Sequence, residues 1–555
     1  MLEAPRWALA VSQVKAKSRL RKRNSSLRLQ PILPLTTQAG AFLMTMTRRK
    51  FTANLAVSTL LASSALTTVP ASALEPGTLT IAQGFDPVSL WPNYSTTQDQ
   101  INVGNLIVES LFWVDPKTNR TEAILAEKYE LTDPKTVKIT LRPGIKFTNG
   151  EPFNADAVVH SFNVFTDIKT TPAYGRYAAT IDRAEKIDDK TVVVHMKFPY
   201  PALDLVLSQV FMLPPGYWKE VGGPDVFGRK PIGTGPFKLK EWVRDSRLVM
   251  EANPDYWGAL PKGIKQVVWR PIPDDMVRAS GLLAGEFDIA TNIPITAVEQ
   301  VKAQKDLALL AVPSFRIFTM ALSNLPAHKS PLHDRRVRQA LNYAIDKQAI
   351  IDSLFRGQAR PLRGQLLREG QIGFDPEIKD YPFDPAKAKA LLAEAGFPKG
   401  FEITFKFPTG RYSQDREVAE AISGMLADVG VRAQMTSLEP GEFLRQFSAR
   451  ELQPMGFVGL APADDPDLQM SQYRSDWRYS YVANPELDTL IDAGARETDR
   501  EKRGDIYRKA SRILHDEASV LFLYQANDLY GVAARVKGFV PRGDQRWTIY
   551  GMSMA

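Results

Sequence analysis

At 555 residues the chain is too long for one ordinary domain of ~100–200 residues, and its 44% hydrophobic and 24% charged content fits a globular protein with a substantial core. It contains no cysteine, which excludes a disulfide framework and a thiolate metal site, and gives the expectation that no lipidated cysteine anchors it. The net charge of +8 raises nucleic acid as a partner, but eleven Lys and Arg and a single acid, Glu3, fall within residues 1–73; beyond them 59 bases face 61 acids, so the body lacks the basic footprint of a nucleic-acid binder.

The N-terminal basicity reads as an address. Thr47-Arg48-Arg49-Lys50-Phe51 precedes a diluted apolar run, Leu55 to Val69, and then Ala71-Ser72-Ala73, the pattern of a charged region, a short hydrophobic region and a small-residue cleavage site. The run is shorter than the ~20 apolar residues of a membrane span. Residues 46–73 are therefore predicted to be a signal peptide cut after Ala73. The arginine pair is twin-arginine-like, whereas Thr52-Ala53 departs from that pattern, so both export routes stay open. Met44 or Met46 makes a natural start, and residues 1–45 are expected to be a mis-assigned or disordered extension.

Along the mature chain, Leu79–Ala82 reads as a strand, and apolar spacing over Asn102 to Trp113 reads as an amphipathic helix. Val137 to Leu141 alternates as a strand, ended by Pro143-Gly144, with a tight turn at Asn149-Gly150. Asn154 is placed to cap a helix running through Phe165, and Thr191 to Phe198 is a further strand. Val267 to Arg270 precedes a helix over Asp274–Ala284 that Gly285 closes, and Phe287 to Ala290 is extended. Helices follow from Asp334, over Ala386–Ala395 and over Glu417–Val429, the last two stopped by Gly396 and Gly430, with the strand Phe401 to Phe407 between them. Gly233-Thr-Gly235-Pro236 reads as a tight turn into the strand starting at Phe237; it lacks the third glycine of a dinucleotide loop, and Pro236 blocks a helix start. The arginines after Asp334 are expected to be solvated or paired. Strands and helices mix throughout without a low-complexity linker, so the fold class is α/β with interleaved domains.

Six segments in order resemble the family 5 extracytoplasmic solute-binding proteins of ABC importers, the peptide- and nickel-type group. They are Leu141 to Asp156, Pro231 to Phe237, Asn253-Pro-Asp-Tyr-Trp257, Arg278 to Ala290, Asp334 to Asp346 and Ala388 to Gly396. The resemblance implies a two-lobed periplasmic binding protein fold with an extra small domain and a ligand cleft between the lobes. Lobe I is expected over 74–117, 223–308 and 512–555, the small domain over 118–222, and lobe II over 309–511. It further implies a soluble periplasmic monomer that needs no cofactor, captures a peptide-like or anionic small solute, and hands it to separate permease and ATPase subunits.

Within that resemblance Trp91, Tyr94, Tyr412, Tyr473, Trp477 and Tyr479, aromatic residues in loop-like segments, are as a group the candidates to line the cleft, with packing in the core or lobes as the alternative for each. In peptide-binding members a tryptophan and an aspartate precede an acid-Pro step, and the aspartate pairs the ligand's α-ammonium. Here the step is Asp465-Pro466, and counting back puts Gly459 and Pro462 at those two positions. Asp464 or Asp465 is the candidate replacement, while Arg411, Arg474 and Arg478 are candidates for a carboxylate or phosphate clamp, with surface arginines as the alternative. The departure opens an opine, oligosaccharide, sugar phosphate or metal chelate as ligand, and an exported chaperone or receptor as a different role. An enzyme is disfavoured by the lack of a Gly-x-Ser-x-Gly elbow, a His-Glu-x-x-His pair and a Walker A loop, and the five histidines show no metal-ligand spacing.

Overall fold

Two long antiparallel strands, Leu307–Leu322 and Val520–Ala533, run side by side through the largest sheet of this computed structural model. The structure describes residues 76–555 except Thr96, Asn119, Pro462 and Ala463; the signal segment and the basic extension read from the sequence lie outside the described residues. On one side of the long pair lie Met455–Leu460, Phe401–Pro408 and Val431–Leu438. On the other lie Ile289–Thr291, Thr78–Gln83, Gln266–Pro271, Arg247–Ala252 and Phe237–Val243. Thr78–Gln83 is parallel to both neighbours and buried along its whole length, as a strand inside a helix-covered sheet must be.

Residues 126–196 supply a second, four-stranded antiparallel sheet, with the helix Ala155–Thr166 against it. Val192, Val194 and Met196 alternate inward to meet Val158, Phe162 and Phe165 of the helix. The helix starts where the sequence predicts, with Asn154 Oδ1 accepting from the Ala157 N–H at 3.2 Å. Asp274 and Asp334 likewise cap their helices, at 2.9 and 2.8 Å, and Gly285 takes the left-handed φ of 75°. Beyond Asp334 the arginines are paired: Arg336 returns to the capping carboxylate, and buried Arg338 donates to the Glu517 carbonyl at 2.7 and 2.9 Å. Mixed helices and strands make the chain α/β, and among the described residues no helix is long and apolar enough to cross a membrane.

One predicted element differs. The helix expected over Asn102 to Trp113 is short, Gln98–Gly104, and Phe112–Val114 is a strand. Its apolar positions Val103, Leu106, Ile107 and Leu111 are all buried, as the spacing requires. The helix stops because the Leu106 and Ile107 carbonyls turn to accept from the Phe237 and Gly235 N–H groups, at 3.1 and 2.9 Å. That approach needs glycine: a Cβ on Gly233 would sit 1.9 Å from the Ile107 oxygen, and one on Gly235 2.4 Å from the Leu106 oxygen.

The turn also brings Thr234 onto Glu109, a glutamate only 2% exposed. Its carboxylate accepts from Thr234 Oγ1 (2.8 Å), Tyr256 OH (2.8 Å), Trp257 Nε1 (3.0 Å) and Tyr550 OH (2.5 Å). Burial pushes the Glu109 carboxyl upward, and the four donors oppose that shift. The Gly-Thr-Gly-Pro and Asn-Pro-Asp-Tyr-Trp segments thus converge on one buried acid. Glu109→Leu is expected to lower the unfolding free energy by about 3–5 kcal/mol, because four buried donors lose their acceptor, with Glu109→Gln intermediate. Urea denaturation checks this, and equal stability of the leucine variant would contradict the role given to Glu109.

Candidate functional site

Gly459, the penultimate residue of the strand Met455–Leu460, is enclosed by side chains. A Cβ there would come within 2.7 Å of the Phe318 ring and 3.2 Å of Tyr412, so no tryptophan fits at this position without rearrangement. The Tyr412 hydroxyl accepts from the Gly459 N–H at 3.2 Å and donates to its carbonyl at 3.3 Å. Pro462 lies outside the described residues.

Three aspartates follow, each with an arginine. Asp464 accepts from Arg368 and from Gln371 Nε2 at 2.8 Å. Asp465 caps the short helix Pro466–Met470 through the Asp467 N–H at 2.8 Å. It also receives both terminal nitrogens of Arg503, at 2.8 and 2.9 Å, in a buried bidentate pair. Asp467 accepts from Arg176 Nη2 at 3.0 Å and Tyr200 OH at 3.3 Å, and Arg176 donates to the Asp467 carbonyl at 3.1 Å as well. Burial raises the Asp467 pKa, and the Arg176 charge opposes the rise. Arg176 and Tyr200 flank the four-stranded sheet, so this cluster ties that sheet's neighbourhood to the loop after Gly459.

A cavity of about 360 Å³ opens beside this loop, bounded by Val114, Arg120 and Thr121, by Ala202, Asp204 and Leu205, by Asp464 and Asp465, and by Arg542. A smaller one, about 70 Å³, lies next to Glu109 among Trp113, Phe211, Trp547 and Tyr550, and it shares Val114 and Arg542 with the first. Of the residues proposed from sequence, Asp464 and Asp465 reach the larger cavity's wall. Trp91 is buried edge-on against Trp218 at 5.1 Å, and Tyr94 is exposed at the end of the turn Pro92–Tyr94. Tyr412 is half-buried against Phe318, with exposed Arg411 over its ring at 5.3 Å. Tyr473 is buried in an apolar cluster, and Trp477 lies 6.0 Å from the Arg176 guanidinium and packs on Tyr479. Arg474 is taken up by Asp476 at 2.9 Å and by Asp492, and Arg478 lies exposed over Tyr479. Among the described residues no group of three or more His, Cys, Asp or Glu is placed to hold a metal.

The wall residues not anticipated are Val114, Arg120, Thr121, Ala202, Asp204, Leu205 and Arg542, which come from segments far apart in the chain. No local periodicity marks them; a charged residue within an otherwise turn-like stretch, as at Arg542-Gly-Asp544, was the only available signal.

Comparison with known proteins places this geometry. Residues 121–481 match the family model described as bacterial extracellular solute-binding proteins, family 5 middle. The glutathione-binding protein GsiB of Pectobacterium atrosepticum is 30% identical over 481 residues, covering 83% of this chain and 90% of the relative. The dipeptide-binding protein of Escherichia coli is 30% identical over 493 residues, covering 82% and 90%. Among solved structures, HbpA2 from Haemophilus parasuis superposes with a TM-score of 0.76 at 26% identity, over 86% of this chain and all of that one.

Asp467→Asn keeps the side chain's shape but removes the charge that Arg176 pairs. It is expected to cost about 1–3 kcal/mol of stability, measured by denaturant unfolding at neutral pH. Arg176→Lys is expected to recover little of the native interaction, since one ammonium cannot serve the carboxylate and the carbonyl as a planar fork does. A full-stability Asp467→Asn variant would contradict the ion pair's importance.

Proposed function

The chain belongs to the bacterial extracellular solute-binding proteins of family 5, and on that basis we propose that it captures a small, peptide-like solute outside the cytoplasm and delivers it to an ABC importer. The single observation that carries the peptide-like reading is the named binding of its relatives, glutathione in one and dipeptides in another, across more than four-fifths of this chain. A cavity of about 360 Å³ walled by charged and apolar groups is in keeping with a ligand of that size. The family and these relatives are binding proteins, and no catalytic step is assigned.

The domain reading supports capture by closure. In it, residues 74–117, 223–308 and 512–555 form one lobe, 118–222 the small domain and 309–511 the second lobe. Strands between 237 and 291 lie on one side of the long pair and those between 401 and 460 on the other, which agrees with two halves joined by Leu307–Leu322 and Val520–Ala533. Rotation about such a pair of crossings opens and shuts a cleft. On that division Arg120 and Asp204 of the small domain and Asp464 and Asp465 of the second lobe line the same cavity. The sequence reading of 46–73 as a twin-arginine-like signal peptide supports a periplasmic location, with docking on separate permease and ATPase subunits as the proposed next step.

Thermal unfolding with a panel of dipeptides, glutathione, an opine and a sugar phosphate tests this reading. A solute at 100 times its Kd adds about 2.7 kcal/mol and raises the midpoint by a few degrees. A rise with one chemical class is the expected result. Silence across the panel, together with binding to unfolded polypeptide, would favour an exported chaperone instead.

A further inference from the structure

We propose, resting on the reading above, that the captured solute must carry a carboxylate or equivalent anionic group, that Arg542 holds it, and that a free amino group contributes little. Each acid lining the larger cavity already accepts a hydrogen bond, and Asp464 and Asp465 are paired with arginines. Asp204 accepts from Tyr129 OH at 2.7 Å, Asp464 from Arg368 and Gln371, and Asp465 from both terminal nitrogens of Arg503. A ligand ammonium entering here gains from Asp464 or Asp465 only what it takes from an arginine, and Asp204 is already held by the Tyr129 hydroxyl.

The cations lining it are matched only in part. Arg542 is 8% exposed, and its Nε has no hydrogen-bond partner among the described residues. Its other nitrogens reach the Val114 carbonyl at 3.2 Å and Asp544 at 3.0 Å. Asp544 also serves Arg546, at 4.0 Å, so one carboxylate stands between two guanidiniums. Arg120, exposed and lining the same cavity, has no ion pair among the described residues. Burial disfavours the charged form of Arg542, with Asp544 opposing, which is the condition under which an arriving anion stabilises the site most. Arg542 borders both cavities, so a carboxylate bound there lies where the larger space meets the aromatic pocket beside Glu109.

The arrangement reverses the polarity expected from a peptide's amino anchor: recognition falls on the anionic end, and the acids near Asp465 organise the wall. Isothermal titration of the purified chain with four probes tests it: Ala-Phe, N-acetyl-Ala-Phe, Ala-Phe amide and glutathione. Blocking the amine is expected to change Kd by less than about threefold, and converting the carboxylate to an amide to weaken binding at least tenfold, the scale of one lost charge-assisted contact. Arg542→Gln is expected to weaken the acid to the level of the amide and to leave the amide unaffected. Arg542→Lys, which keeps the charge, should retain part of the preference and guards against a folding defect in the first variant. Equal affinity for acid and amide, or an acid-to-amide ratio unchanged by Arg542→Gln, overturns the inference while leaving the transport reading intact. No heat with any of the four probes overturns the peptide-like reading and the inference with it.

Discussion

The break in the ladder between the two long strands sets most of the geometry around the cavity. Leu307–Leu322 and Val520–Ala533 pair on either side of a register shift between Pro313 and Ile317, with a second shift between Phe318 and Thr319. Pro313 has no N–H to give to a ladder, and a strand interrupted there must bulge. The freed groups find partners elsewhere. The Phe315 N–H goes to the Gly543 carbonyl at 2.5 Å, and the Ser314 carbonyl accepts from Gln525. The loop that carries Arg542 and Asp544 is thereby pinned to the point where the long strands change register. The Phe315 ring lies 3.8 Å beneath the Arg368 guanidinium, and Arg368 in turn holds Asp464. One irregularity in one strand thus positions residues on two walls of the cavity.

Arginine–aspartate pairs then fix those walls. Asp465 with Arg503 is buried and bidentate, Asp464 with Arg368 and Asp467 with Arg176 are partly so. Buried pairs of this kind contribute little net stability, because desolvation offsets their attraction, but they are costly to leave half-made. Their value lies in geometry, since a planar guanidinium accepts few orientations of a carboxylate. The consequence for recognition is that the acids which sequence alone offers as ligand anchors are occupied in holding the loop, and the under-matched charge at the cavity is positive.

Much of the fold was legible in the sequence, for local reasons. Asn154 caps the helix it was expected to cap, and Asp274 and Asp334 cap the helices read as starting at them, because a short polar side chain before an apolar run satisfies orphan N–H groups whatever the tertiary context. Gly233 and Gly235 were readable as punctuation, but their reason, contact with the carbonyls of Leu106 and Ile107, spans more than a hundred residues of chain. The same distant contact ended the Asn102 helix early. Candidate site residues were less legible. Trp91 and Tyr473 sit in loop-like sequence yet are buried in apolar clusters, since large aromatic side chains gain most by leaving water wherever the chain allows. The cavity wall joins residues near 114, 120, 204, 464 and 542, an assembly no spacing rule can anticipate.

Small-angle X-ray scattering of the purified chain, with and without a solute that raises its thermal midpoint, tests capture by closure most directly. The account predicts a smaller radius of gyration in the bound state, as the halves joined by the two long strands turn toward each other. A saturated chain with an unchanged radius of gyration would contradict it.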